Sequence, residues 1–229
     1  MRILVISDIH GMIFWKEVVE RAKQDDKIIF LGDYFDKRGS GPYAESQTDN
    51  FLEICALSRD NPNIHMLLGN HDFQYTDFAI SHTTSYDKRR SKSYNKALMD
   101  NLDLLNIVYI ENNREKPVIF SHAGVSQNFM NACQISSVDK INNKFKTYPW
   151  KFDFITCFGG EIANNFGDNV WQTPLWIRPD SLIEGAVASY DQVVGHTQVE
   201  EIETRTSLHG DTIYLTCTFN ANCLELKCG

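Results

Sequence analysis

Eight side chains of the kinds that hold metal ions or move protons follow closely on short apolar runs. Ile3-Leu4-Val5-Ile6 leads into Asp8 and His10, and Ile28-Ile29-Phe30-Leu31 leads into Asp33 and Asp36. The run from Ile64 to Leu68 leads into Asn70 and His71, Val118-Ile119-Phe120 into His122, and Val193-Val194 into His196. Carboxylates, imidazoles and an amide without thiolates suit a hard or borderline divalent cation such as Mn²⁺, Fe²⁺ or Zn²⁺. The candidates exceed what one ion uses. Two metals ~3.5–4 Å apart are the arrangement that cleaves phosphate esters. Water bridging two cations loses a proton near neutral pH and can attack phosphorus in line, while both ions neutralise the phosphoryl oxygens. A lone histidine is usually an ordinary surface or core residue, and His65, His82 and His209 are read so. For His10, His71, His122 and His196 that reading needs four coincidences at strand ends.

Those runs have the length of buried strands, and in open α/β sheets chemistry collects just past the carboxyl ends of such strands. Between them, Phe14, Trp15, Val18, Val19 and Ala22 recur at helical spacing, which predicts a helix over 12–24. Further helices are expected over 50–59, 96–105 and, in one or two pieces, 127–146. Residues 76–95 are polar and carry Lys88, Arg89, Arg90 and Lys92, so they read as an insertion over the site. The four cations read first as a solvated face and second as substrate contacts. Residues 147–179, rich in aromatics and glycine, show no periodicity and are expected to be irregular; Trp171 and Trp176 are expected to be packing residues. Stretches 192–195, 213–218 and 223–227 read as strands of a second sheet. No repeat, linker or low-complexity tract divides the 229 residues, so one domain over 1–229 is expected.

The formal charge of −8 argues against non-specific nucleic-acid binding, which needs a basic footprint. No run approaches the ~18 apolar residues of a membrane span. Met1-Arg2 leads into only four apolar residues before Ser7, too few for a signal peptide, so a cytoplasmic location is expected. Six cysteines without Cys-x-x-Cys spacing read as reduced thiols; Cys217, Cys223 and Cys228 also allow a zinc site.

Asp8-x-His10, Gly32-Asp33-x-x-Asp36, Gly69-Asn70-His71-Asp72, Ser121-His122-Ala123-Gly124 and Gly195-His196-Thr197 resemble the five motifs of the calcineurin-like metallophosphoesterases, in family order. The resemblance implies an α/β (α+β) fold, a four-layer sandwich of two mixed sheets flanked by helices. It implies two divalent ions, Mn²⁺ first and iron or zinc next. One ion would sit on Asp8, His10 and Asp33, the other on Asp33, Asn70, His122 and His196. His71 would serve as general acid, oriented by Asp36. Many family members have a second histidine two residues after His196; here that position is Gln198. In this the chain resembles the branch of serine/threonine protein phosphatases and symmetrical dinucleoside tetraphosphatases. The tract from Trp171 to Pro179 fits that branch, with Arg178 as a phosphate clamp beside Asn70. Protein phosphatases have arginine directly after the second aspartate, whereas this chain has Lys37 and then Arg38, so either could meet phosphate. Relatives often carry Ile-Asp-Thr-Gly near the end, where this chain has Leu215-Thr216-Cys217-Thr218.

The expected function is a dinuclear metal-dependent phosphomonoesterase whose partner is a phosphorylated substrate: a phosphoprotein, a nucleotide or a small phosphoester. Hydrolysis of a dinucleoside polyphosphate is the second enzymatic reading. A metal-binding interaction module is the third, against which all five motifs count.

Overall fold

The computed structural model describes residues 2–37, 42–113, 115–155, 157–158, 161–162, 168–218 and 223–227. Strands β1 (Arg2–Ile6), β2 (Lys27–Phe30), β3 (Ile64–Leu67) and β4 (Leu105–Asn106) lie side by side and parallel. At Ile107 the chain leaves this sheet for the next, and Asn142 Oδ1 accepts the amides of both Ile107 and Val108. The second sheet starts with β5 (Val108–Glu111) and β6 (Val118–Ser121). A short antiparallel pair, β7 (Cys157–Phe158) and β8 (Glu161–Ile162), stands apart. Strands β9 (Asp191–Val194), β10 (Glu203–Thr206) and β11 (Thr212–Leu215) complete the second sheet in the order β10-β11-β9-β6-β5, with β6, β9 and β11 parallel.

The last strand, β12 (Cys223–Lys227), departs from the sequence reading. It joins the first sheet, antiparallel to β1, with Ile6 opposite Cys223 and Arg2 opposite Lys227. Alternation along a strand encodes which face is buried but not which sheet edge it will find.

The period-two alternation builds four layers. Ile3, Val5, Ile29 and Leu31 meet Val118, Phe120 and Val193 between the sheets. Leu4, Ile6, Ile28 and Phe30 point the other way, into a cluster with Trp15 and Val18 of α1 (Trp15–Glu20), Phe51 and Ile54 of α2 (Gln47–Asp60) and Leu98, which follows α3 (Asn70–Phe73) in α4 (Ser91–Asp100). Ile119 shares that cluster with Phe129 of α5 (Gln127–Ala132) and Phe145 of α6 (Ile141–Thr147). Leu182 of α7 (Pro179–Gly185) covers Val194, Ile213 and Leu215. Each large apolar side chain so buried contributes roughly 1.5–3 kcal/mol.

Two helices differ in extent from the sequence reading. The segment expected as a helix over 12–24 is helical only at Trp15–Glu20; Met12 instead bridges to Tyr43. The helix expected over 96–105 begins earlier, at Ser91, inside the polar insertion, and ends at Asp100 before a 3₁₀ turn.

Candidate metal centre

Every candidate ligand sits where a parallel strand stops and the chain turns sharply. His10, Asp33, Asp36 and His196 have φ of 45°, 54°, 62° and 59°, a left-handed conformation uncommon for residues with a side chain. The loops after β1 and β2 impose it on each other: His10 N donates to Asp33 O at 2.6 Å and Gly11 N to Tyr34 O at 3.0 Å. Asp72 ties the third loop in, accepting the amides of Asp33, Tyr34 and Gly69 at 2.7, 2.7 and 3.0 Å. At Gly69 and Gly195 the approach is too close for a side chain. A β-carbon at Gly69 would collide with Asp33, and one at Gly195 with Asp8.

These turns bring Asp8, His10 and Asp33 together, with ligand atoms all within 4.8 Å of one another. Among the described residues no other group of histidine, cysteine and carboxylate side chains is so placed. Asp33 also faces the second half of the set. His10 Nε2 lies 3.7 Å from Asp33 Oδ2 and His122 Nε2 lies 3.5 Å from the same oxygen. Asn70 Oδ1 sits 2.8 Å from His122 Nε2 and 3.1 Å from His196 Nδ1.

The ring tautomers suit a cation. His10 Nδ1 donates to the Phe35 carbonyl and His122 Nδ1 to the Leu31 carbonyl, each at 3.0 Å. Both Nε2 atoms then carry lone pairs aimed at carboxylate or amide oxygens, an arrangement of acceptors that a positive ion reconciles. His196 Nε2 is buried with no hydrogen-bond partner among the described residues. Burial pushes the His122 and His196 imidazoles below their usual range, which favours the neutral form that metal binding needs. The carboxylates differ. Burial pushes Asp8 up, but His122, His10, the Ser7 hydroxyl and the His196 amide outweigh it and leave the group lowered. Burial, with Asp8 and Asp36 nearby, raises Asp33 to about 7 despite the pull of His71.

Beside the ligands, His71 Nδ1 lies 2.9 Å from Asp36 Oδ2, and Asp36 is 5 % exposed. The neighbouring oxygen Oδ1 takes the Tyr75 hydroxyl at 2.6 Å. Both histidines His10 and His71, with Asp8, Asp33, Asn70 and His196, line a cavity of ≈ 360 Å³ that Trp176, Arg178, Gln198 and Cys217 also line. Arg178 Nη1 donates to Thr197 Oγ1 at 3.3 Å. Lys37 does not line this cavity; its ammonium lies over the Tyr43 ring, 5.0 Å from the centroid. Arg38 lies outside the described residues. Cys55, Cys133, Cys217 and Cys223 are free thiols, and Cys228 lies outside the described residues.

Four residues that the sequence reading left without a role belong to the site. Asp72 stood inside the Gly-Asn-His-Asp motif, and its position next to His71 was the available signal. Gln74, Tyr75 and Ser85 all donate to Asp36, and no local pattern marks them.

The family comparison agrees with this geometry. Residues 1–210 match the calcineurin-like phosphoesterase family. A protein serine/threonine phosphatase from Saccharomyces cerevisiae is similar in structure, with a TM-score of 0.50 at 14% identity over 95% of this chain and 67% of that one. A candidate diadenosine tetraphosphatase follows at 0.47 and 14% identity, over 98% of this chain and 92% of that one. No curated protein sequence matches the chain. The likeness to the yeast enzyme bears on the fold, two mixed sheets with helices. With a family match spanning most of its length and a buried set of side chains able to hold a metal at the strand ends, the chain belongs to the calcineurin-like phosphoesterases, a metal-dependent family.

Proposed function

We propose that the centre holds two divalent cations and hydrolyses phosphomonoesters, phosphoserine and phosphothreonine side chains foremost. Asp8, His10 and Asp33 would hold one ion, and Asp33, Asn70, His122 and His196 the other, with Mn²⁺ favoured over iron or zinc. The observation that carries this reading is the position of Asp33 Oδ2, 3.7 Å from one unprotonated imidazole nitrogen and 3.5 Å from another on the opposite sheet. When bound, such ions polarise the phosphoryl oxygens and make water acidic enough to serve as nucleophile near neutral pH.

The chain's own residues do the rest. Arg178, on the cavity wall, offers a planar fork matched to phosphate oxygens, and the Asn70 amide borders the same space. With Nδ1 bonded to Asp36, His71 keeps Nε2 as the nitrogen that can give a proton to the departing oxygen. Asp36 holds that tautomer and steadies the imidazolium before the proton leaves.

The ester reading is favoured over the polyphosphate one by what lies beyond Arg178 and Gln198. A second space of ≈ 420 Å³ shares Arg178 and Gln198 with the cavity and is lined by Asp168, Asp180, Glu203 and Arg205, with Arg205 bonded to Glu203. The carboxylates there outnumber the cations, which disfavours a polyphosphate chain. The test is initial rates on a phosphoserine peptide, p-nitrophenyl phosphate, a nucleotide and a dinucleoside tetraphosphate in Mn²⁺, before and after chelation. Faster phosphopeptide turnover that chelation abolishes supports the proposal. Preference for the dinucleotide would reverse the substrate assignment, and turnover that survives chelation would refute the metal roles.

A further inference from the structure

The Nδ1 atom of His71 has two partners, and the second comes from the insertion. Ser85 Oγ lies 3.0 Å from His71 Nδ1 and donates to Asp36 Oδ2 at 3.2 Å, while Nδ1 and Oδ2 are themselves 2.9 Å apart. The three atoms close a triangle, so rotation of the ring strains two contacts at once. Ser85 is itself fixed. Its amide donates to Thr83 Oγ1 at 3.3 Å, the two hydroxyl oxygens are 2.8 Å apart, and the Thr83 amide donates to Gln74 Oε1 at 2.8 Å. Gln74 Nε2 returns to Asp36 Oδ2 at 2.5 Å, completing a ring of hydrogen bonds that starts and ends on the carboxylate. The other carboxylate oxygen is reached through Tyr75, whose hydroxyl donates to Asp36 and accepts the Asp87 amide at 2.8 Å. Tyr86 stacks on Tyr75 at 4.9 Å between ring centroids, and His82 stacks on Tyr86 at 4.1 Å.

We infer that Ser85 is a positioning residue for His71: the inserted segment, through the Ser85 hydroxyl, holds the imidazole in the orientation from which it protonates the leaving group. The inference rests on the proton-donor role assigned to His71 above. A ring that donates and regains a proton at Nε2 must keep Nδ1 bonded throughout, and the Ser85 hydroxyl gives Nδ1 a second partner beside the carboxylate. Serine can serve both partners because its hydroxyl donates and accepts at once. The segment's contact with the chemistry is therefore structural, and Thr83 is its point on the cavity wall.

Ser85→Ala, Ser85→Thr and His71→Asn, each loaded with Mn²⁺, test this with a phosphoserine peptide and p-nitrophenyl phosphate. Partners of this kind that orient a functional group are worth about 10–100-fold. Ser85→Ala should lower kcat on the alkyl ester about tenfold and on the aryl ester at most about threefold, with KM and bound metal unchanged. Ser85→Thr, which keeps the hydroxyl, should restore alkyl-ester turnover to within about threefold of wild type. If Ser85→Ala leaves the alkyl-to-aryl ratio at its wild-type value while His71→Asn shifts it, Ser85 does not position the ring and the role of His71 stands. If Ser85→Thr is as impaired as Ser85→Ala, the hydroxyl is not the acting group and the inference falls. Should His71→Asn also leave the ratio unchanged, the proton-donor role falls and this inference with it.

Discussion

Taking the metal-free protein from pH 8 to pH 6 should weaken its hold on Mn²⁺ about tenfold, and the size of that change comes from Asp33. This carboxyl is 1 % exposed, and burial, with Asp8 and Asp36 close by, lifts it to about 7. A cation needs the ionised form, so below about 7 each further pH unit costs close to tenfold in affinity. A carboxyl titrating near 4 would produce no change in this window. His122 and His196 are lowered by burial, which moves their titration to lower pH than that of a free imidazole. The sign for stability follows the same way. A carboxyl raised in the folded state favours the fold below its unfolded value, and that contribution disappears as pH rises through about 7. At about 1.4 kcal/mol per pH unit the loss amounts to about 4 kcal/mol, which cation binding offsets, so the gain in Tm on loading should grow with pH. Calorimetric Mn²⁺ titrations at pH 6, 7 and 8, in buffers of different ionisation heat, measure both affinity and protons released. An affinity at pH 6 within about twofold of that at pH 8, without proton release, would refute the reasoning.

Asp33→Asn preserves shape but removes the charge shared by both halves of the ligand set; it should abolish turnover and reduce bound metal, and a variant keeping most of its activity would sink the assignment. Gly69→Ala forces a β-carbon into Asp33 and should cost about 1–3 kcal/mol in stability together with metal content. Unchanged Tm and metal in that variant would mean the loops are not so closely packed. The Arg89 and Arg90 side chains are 95% and 59% exposed on the insertion, and reversing them together with Lys88 should raise KM for acidic phosphopeptides while sparing p-nitrophenyl phosphate. Equal, negligible effects on both substrates would leave the three cations as a solvated face.

Much of the site was legible in the chain because its signals are local. A short apolar run, from two to five residues here, followed closely by aspartate, asparagine or histidine marks both a buried strand and the turn after it, so the candidates Asp8, His10, Asp33, Asn70, His71, His122 and His196 could be picked out residue by residue. The four-layer arrangement came from the family resemblance, and the alternating burial of β1 and β2 agrees with it. What the chain could not reveal depends on partners distant in sequence. Strand β12 pairs with β1 across nearly the whole chain, and its alternation would have suited either sheet edge. The left-handed backbone at His10 and Asp33 is held by hydrogen bonds between their two loops, and at His196 by its amide on the Asp8 carboxylate. Ser85, Gln74 and Tyr75 look like ordinary polar residues until the insertion folds back and encloses Asp36. The order in which ligands follow strands is written in local composition. Their protonation, their tautomers and the grip on His71 are set only when burial strips away water and leaves each polar atom to the partners that the fold provides.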